Sequence, residues 1–173
     1  MTRIRRTRGF TLIELVVVIS ILAILAAALI PRVTNRMAAA RDARRVSDMN
    51  ALKDALDQYY IDKAAYPAPT ANANFGNWDV SHDNGFIPDL LAKGYLSDVP
   101  KDPTNDDTYH YRYYVWPKGS YGCQGNGPFY VLGIKAFETT EFADKNKGFF
   151  KCDQRDWSTE FAYVTGGGAS WKK

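Results

Sequence analysis

From Gly9 to Ile30 the chain reads G-F-T-L-I-E-L-V-V-V-I-S-I-L-A-I-L-A-A-A-L-I, and between Phe10 and Ile30 only Thr11, Glu14 and Ser20 are polar. A run of about 21 residues forms a helix of roughly 31 Å, long enough to cross the hydrocarbon core of a bilayer. Arg3, Arg5, Arg6 and Arg8 precede it and Pro31 follows it. By the positive-inside rule, residues 1–9 are a cytoplasmic flank. Glu14 lies about 6 Å into the helix. A charge there is expensive, ~2.5–3.5 kcal/mol at the bilayer centre and less near an edge, so its presence demands a partner.

The rest of the chain fits one small domain. Of 173 residues, about 140 remain after this segment. The formal charge of +3 comes from 22 Lys and Arg against 19 Asp and Glu, and four of those arginines stand before the apolar run. Without them the balance is 18 to 19, so the basic pI reflects targeting rather than a nucleic-acid-binding body. The two cysteines, Cys123 and Cys152, lie far beyond the apolar segment. If that part is exported they meet an oxidising compartment and pair; the alternative is two free thiols.

Pro31 removes a donor and predicts a kink or local melting, but the helical pattern resumes after it. Val33, Met37 and Ala40, then Met49, Leu52, Leu56 and Tyr59, recur at helical spacing. Arg32, Arg36, Arg41, Arg44, Arg45, Asp48, Lys53, Asp54 and Asp57 supply the opposite face. The pattern predicts helix to about Asp62, stopped by Tyr66-Pro67-Ala68-Pro69. Such a rod of about 50 residues is roughly 75–80 Å long, too long for one small domain to bury. Residues 64–86 read as loop, Ile87–Ala92 as a helical turn, and Tyr109–Trp116, Phe129–Ala136 and Phe161–Thr165 as strands. The tail from Gly166 reads as mobile. The expected architecture is α+β, with a long N-terminal helix on a three- or four-stranded antiparallel sheet. Its parts are a leader (1–9), a membrane and assembly helix (10–31), an amphipathic continuation (32–63) and a loop-and-sheet domain (64–173).

Three readings account for Glu14. One is a plain signal peptide, cut near Ala26-Ala27-Ala28. Another is a single-pass anchor with the acid at the interface. In the third, cleavage between Gly9 and Phe10 creates an ammonium one turn from Glu14, and that amine, or a neighbour's, neutralises the carboxylate. Only the third uses Gly9, Phe10 and Glu14 together. R-G-F-T-L-I-E-L-V-V-V-I-S-I-L-A-I-L-A closely resembles the class III signal of type IV pilins and type II secretion pseudopilins. The resemblance implies cleavage after Gly9 by a prepilin peptidase, N-methylation of Phe10, an assembly role for Glu14, and a helix-breaking role for Pro31 in a packed filament. Ala51–Pro67 and Gly94–Pro103 look like segments shared by pilins and pseudopilins. Cys123 and Cys152 match the bridge bounding the C-terminal loop of many pilins, whereas major pseudopilins generally lack it and often bind calcium there.

Other constellations carry less. Asp102, Asn105, Asp106 and Asp107 offer oxygen ligands without the spacing of a known calcium loop, and a turn-forming role is the simpler reading. Asp153 and Asp156 are similar. His82 and His110 have no metal or triad context and read as surface residues. The arginines from Arg32 to Arg45 form a basic stripe that would suit DNA phosphates or headgroups, but no aromatic residues interleave it. No catalytic constellation or cofactor motif is evident. The expectation is a structural subunit of a type IV pilus serving adhesion, motility or DNA uptake. Its alternatives are a type II secretion pseudopilin and a membrane-anchored binding module that never polymerises. The partners implied are copies of itself, the prepilin peptidase, an assembly platform and the inner membrane, with the product a surface or extracellular filament.

Overall fold

The computed structural model describes residues 9–83 and 85–168. They fall into two units, one ending at Met37 and the other starting at Ala38. Among the described residues the first unit is the opening of helix α1 (Leu12–Lys63), and its large apolar side chains are exposed, from Leu12 at 81% to Val16 at 42%. Its two mid-helix hydroxyls are satisfied within the helix: Ser20 Oγ donates to the Val16 carbonyl at 2.8 Å and Thr34 Oγ1 to that of Ile30 at 3.2 Å. α1 continues across Pro31, as the helical pattern resuming after it predicts. Val33 and Met37 are exposed.

In the second unit, the remainder of α1 packs on a sheet. The sheet has strands β1 (Asp79–Val80), β2 (Tyr111–Trp116), β3 (Phe129–Ile134) and β6 (Tyr163–Gly167), in that spatial order and antiparallel throughout. A short helix α2 (Pro88–Ala92) precedes β2, and α3 (Thr140–Lys145) follows β3. A small hairpin of β4 (Lys151–Cys152) and β5 (Arg155–Asp156) comes before β6. On one face, Met49, Leu52, Leu56 and Tyr59 of α1 meet Tyr111, Tyr113, Tyr130, Leu132 and Ile134. On the other, Trp78, Phe150, Trp157 and Phe161 cover Phe129, Val131 and Val164. This second layer was not legible, and it explains why all six residues of β3 are buried and why its sequence is apolar without alternation.

Strand β6 lies two residues later than expected and includes Gly166 and Gly167 from the presumed tail. Those glycines are required by close approach: a Cβ on Gly166 would stand 2.1 Å from the Phe150 ring, and one on Gly167 2.6 Å from the Tyr130 ring. The remainder of the tail, from Ala169, lies outside the described residues.

The buried stripe of α1 does not stop at Met49. Continued backwards at the same 3–4 spacing it reaches Arg45 and Asp42, both fully buried. Ala40, which shares the helical spacing, is exposed, so the buried stripe passes over it. Arg45 therefore leaves the solvated face to which its charge assigned it. All five of its N–H donors are engaged. Nε and Nη2 grip Asp102 at 2.7 and 2.9 Å, Nη1 donates to Asp42 at 2.7 Å and to Glu138 at 2.8 Å, and Nη2 also donates to Thr104 Oγ1 at 3.0 Å. Asp42 in turn accepts the backbone N–H groups of Glu138 and Thr139, both at 2.9 Å. Thr139, the N-cap of α3, makes no side-chain capping bond; its hydroxyl donates to Asp42 at 2.8 Å, so a carboxylate from α1 serves that turn.

Two carboxylates titrate in opposite senses. Hydrogen bonds from Arg41 and Arg45 hold the Glu138 carboxyl down to about 2. Asp79 is buried with two backbone donors, Thr70 N–H at 2.9 Å and Ile87 N–H at 3.1 Å, and burial pushes it up to about 6. Glu138 contributes stability that is complete above its ordinary 4.5 and lost as pH falls towards 2. Asp79 favours the fold below its ordinary 3.8 and ceases to do so as pH rises through 6. Thermal unfolding of the chain in detergent is expected to show a fall in stability between pH 4 and 6, on the order of 2–3 kcal/mol, that Asp79→Asn abolishes; an unchanged slope in that variant would reject the assignment. Arg45→Met strands Asp42 and Asp102 without their cation and is expected to cost ~3–5 kcal/mol by denaturant titration; a loss below ~1 kcal/mol would show that the cluster is not the anchor.

Candidate assembly and processing site

Gly9 and Phe10 lie in non-helical backbone just before α1, and Phe10 is 80% exposed. Among the described residues no atom lies within 4 Å of where a Cβ on Gly9 would stand. Nothing in the chain's own packing therefore requires glycine at this position, and any such requirement is imposed from outside.

Thr11 and Glu14 close the start of α1 reciprocally. The Glu14 N–H donates to Thr11 Oγ1 at 3.3 Å, while Glu14 Oε2 accepts from the Thr11 N–H at 2.9 Å and from its hydroxyl at 2.7 Å. This is a capping box, which satisfies two donors at a helix start that have no intrahelical partner. Its T-x-x-E signature was readable as Thr11-Leu-Ile-Glu14, a local partner for Glu14 that none of the three sequence readings included. Phe10, Ile13, Glu14, Val17 and Val18 line one shallow hollow of about 320 Å³. Phe10 and Glu14 thus share a face, and the carboxylate is set among apolar side chains.

The other candidates separate in space. Asp102 is buried against Arg45, Asp106 Oδ1 accepts the N–H groups of Thr108 and Tyr109 in a turn, and the Asp107 side chain is 91% exposed. Asp156 accepts from Ser158 and stands 3.8 Å from Lys151, and Asp153 packs by Gly122. This donor set does not fit a calcium site, and among the described residues no three His, Cys, Asp or Glu converge on one metal position. His110, expected at the surface, is fully buried; its Nδ1 lies 3.0 Å from the Asp106 carbonyl and its Nε2 accepts from Arg112 Nε. Burial lowers its pKa to about 4. His82, also expected at the surface, packs edge-on against Phe75 and His110. Neither ring had a sequence signal for burial.

Cys123 and Cys152 are joined in a disulfide with Cα atoms 4.8 Å apart, tying the loop before β3 to β4. Both belong to the second apolar cluster. The arginines of the basic stripe differ in their surroundings. Arg45 is buried and Arg41 pairs with Glu138, while Arg32, Arg36 and Arg44 are exposed, Arg44 lying 3.8 Å from Asp48.

Comparison with known proteins addresses both ends of this description. The prokaryotic N-terminal methylation motif matches residues 4–30, and type II secretion system protein G matches residues 32–127. The type II secretion system core protein G of Vibrio cholerae is 32% identical over 141 residues, covering 82% of this chain and 90% of that one. Its counterpart in Pseudomonas aeruginosa is 34% identical over 145 residues, covering 78% and 88%. That of Dickeya chrysanthemi is 44% identical over 100 residues, covering 57% and 64%. No solved structure matches the chain. The apolar N-terminal helix with its prepilin-type motif fits anchoring in the inner membrane before assembly. The cysteine pair had favoured a pilus subunit, but the comparisons support the secretion pseudopilin instead. With a match over more than half of its length and relatives covered almost end to end, the chain belongs to the type II secretion system protein G family.

Proposed function

We propose that this chain is a pseudopilin: a structural subunit held in the inner membrane, cut between Gly9 and Phe10, N-methylated at Phe10, and polymerised through the first part of α1 into a filament that serves protein export. The observation that carries the reading is the exposed apolar surface from Leu12 to Ile30, interrupted by one carboxylate. Burying side chains of this kind is worth ~1.5–3 kcal/mol each, so the segment needs lipid or other helices around it. The family match supports helices of its own kind as the second environment.

Glu14 has a role in each setting. In a single chain its charge is met by Thr11 donors. After cleavage, the Phe10 amine of the same or a neighbouring subunit supplies a cation on the face that Glu14 shares, so that no lone charge is buried in the packed filament. The role is structural rather than catalytic. Its partners are further copies, a prepilin peptidase and the assembly platform of the secretion system.

A strain lacking the chain is expected to accumulate exported enzymes in the periplasm and to keep its surface pili; loss of pili with export intact would favour the pilus reading. Glu14→Ala is expected to insert normally but to cut filament yield about tenfold, the loss of one charge-assisted contact per subunit. Normal filaments by electron microscopy would sink the proposed pairing. Gly9→Leu is expected to leave the full-length mass in the membrane fraction, whereas a mature mass beginning at Phe10 in that variant would reject the cleavage site.

A further inference from the structure

Two arginines of the basic stripe stand apart from the rest. Arg41, Arg44 and Arg45 each have a carboxylate within reach, whereas Arg32 and Arg36 are exposed and have none among the described residues. Between Glu14 and Asp42 the sequence holds no acid. Asp42 is taken by Arg45, and Glu138 by Arg41 and Arg45. Arg32 and Arg36 are four residues apart, so they share one side of α1, a single turn from each other. Val33 and Met37 repeat that spacing one residue on, and are 53% and 56% exposed. Two cations beside two uncovered apolar side chains make an amphipathic strip, and its place along α1 decides what it meets.

The apolar run ends at Ile30. Its length of roughly 31 Å matches the hydrocarbon core, so Ile30 stands at the far boundary of that core. Arg32 follows by about 3 Å along the helix axis and Arg36 by about 9 Å. Headgroups occupy about 5–8 Å beyond the core on each side. Both long side chains therefore reach the phosphate layer, Arg32 from its inner edge and Arg36 from its outer edge. Arg44 starts about 21 Å beyond Ile30 and lies outside it. The positive-inside bias disfavours basic residues on this side of the bilayer, opposite the arginine-rich leader, so an uncompensated pair here needs an anion. Lipid phosphates are the anions at that depth, and a guanidinium fork matches their oxygens. A net negative headgroup suits it best, because a zwitterionic one carries its own cation beside the phosphate. The arginine stems, Val33 and Met37 then face the acyl boundary instead of water.

We propose that Arg32 and Arg36 clamp the headgroup phosphates of anionic phospholipids in the far leaflet of the inner membrane, fixing the depth of the stored subunit. The inference rests on the membrane-held stage of the reading above and is independent of polymerisation.

The test reconstitutes the full-length chain in phosphatidylcholine vesicles that contain a small fraction of phosphatidylglycerol with a photoreactive headgroup. Adducts are mapped by peptide mass. They are expected within residues 32–37, and those on the basic leader, at the other leaflet, serve as the internal standard. Arg32→Gln with Arg36→Gln is expected to lower the first set about tenfold, whereas Arg44→Gln, or lysine at both positions, keeps most of it. Undiminished adducts in the glutamine variant, an equal yield from a phosphatidylcholine probe, or displacement by millimolar inorganic phosphate would overturn the clamp and leave the anchored subunit standing. Loss of filaments from the glutamine variant with its adducts unchanged would also overturn it, assigning the pair to a neighbouring copy. A wild-type chain that stays out of the vesicles would overturn the clamp and the anchored reading together.

Discussion

The globular unit depends on one desolvated guanidinium. Arg45 has no exposed side-chain surface, and its donors are shared among Asp42 on α1, Asp102 and Thr104 before β2, and Glu138 after β3. Three pieces of chain distant in sequence must arrive together, because a buried charge with a missing partner is far more costly than one never buried. The apolar stripe from Met49 to Tyr59 supplies most of the burial on that face, but Leu and Tyr side chains tolerate some sliding. A forked cation gripped at five points tolerates little, so Arg45 sets the rotation and axial position of α1 against the sheet.

The same helix therefore carries two kinds of surface. From Ala38 onward it is an ordinary amphipathic helix with a core face and a solvated face. From Leu12 to Ile30 it is apolar apart from two polar side chains, both turned onto the helix itself: Ser20 onto a carbonyl and Glu14 onto Thr11. Such internal satisfaction is what a bilayer demands of a single helix. It also makes the surface equally suited to lipid and to other apolar helices, which is the property a membrane-stored pseudopilin requires.

Much of this was legible because it follows from periodicity. The apolar run, the end of α1 near Lys63, the turn at α2 and the three longer strands each have a repeating or bounded pattern. What escaped notice has no such pattern. Two-residue strands such as β1 and the β4–β5 hairpin are too short to show alternation. Asp42 and Arg45 were hidden because their charge argued for solvent, although their 3–4 register argued for the core. Tyr111 and Tyr113 are buried with their hydroxyls satisfied by Asp48 and the Pro67 carbonyl, contacts that no sequence pattern announces. At the N-terminus, Gly9, Phe10 and Glu14 stood out by resemblance, whereas Thr11 needed the capping geometry to be recognised. The subfamily was misjudged from the cysteines, since a disulfide reflects the compartment in which a domain folds as much as the filament it builds.

That point has a consequence for how the chain matures. Cys123 and Cys152 belong to a cluster that also contains Trp157 and Phe150, so the layer covering the outer face of the sheet is fastened by a bond that the cytoplasm keeps reduced. A chain that inserts with the wrong orientation keeps both thiols. The oxidation state of this one pair thus records which side of the membrane the globular unit has reached, and links completion of the fold to successful passage across the bilayer.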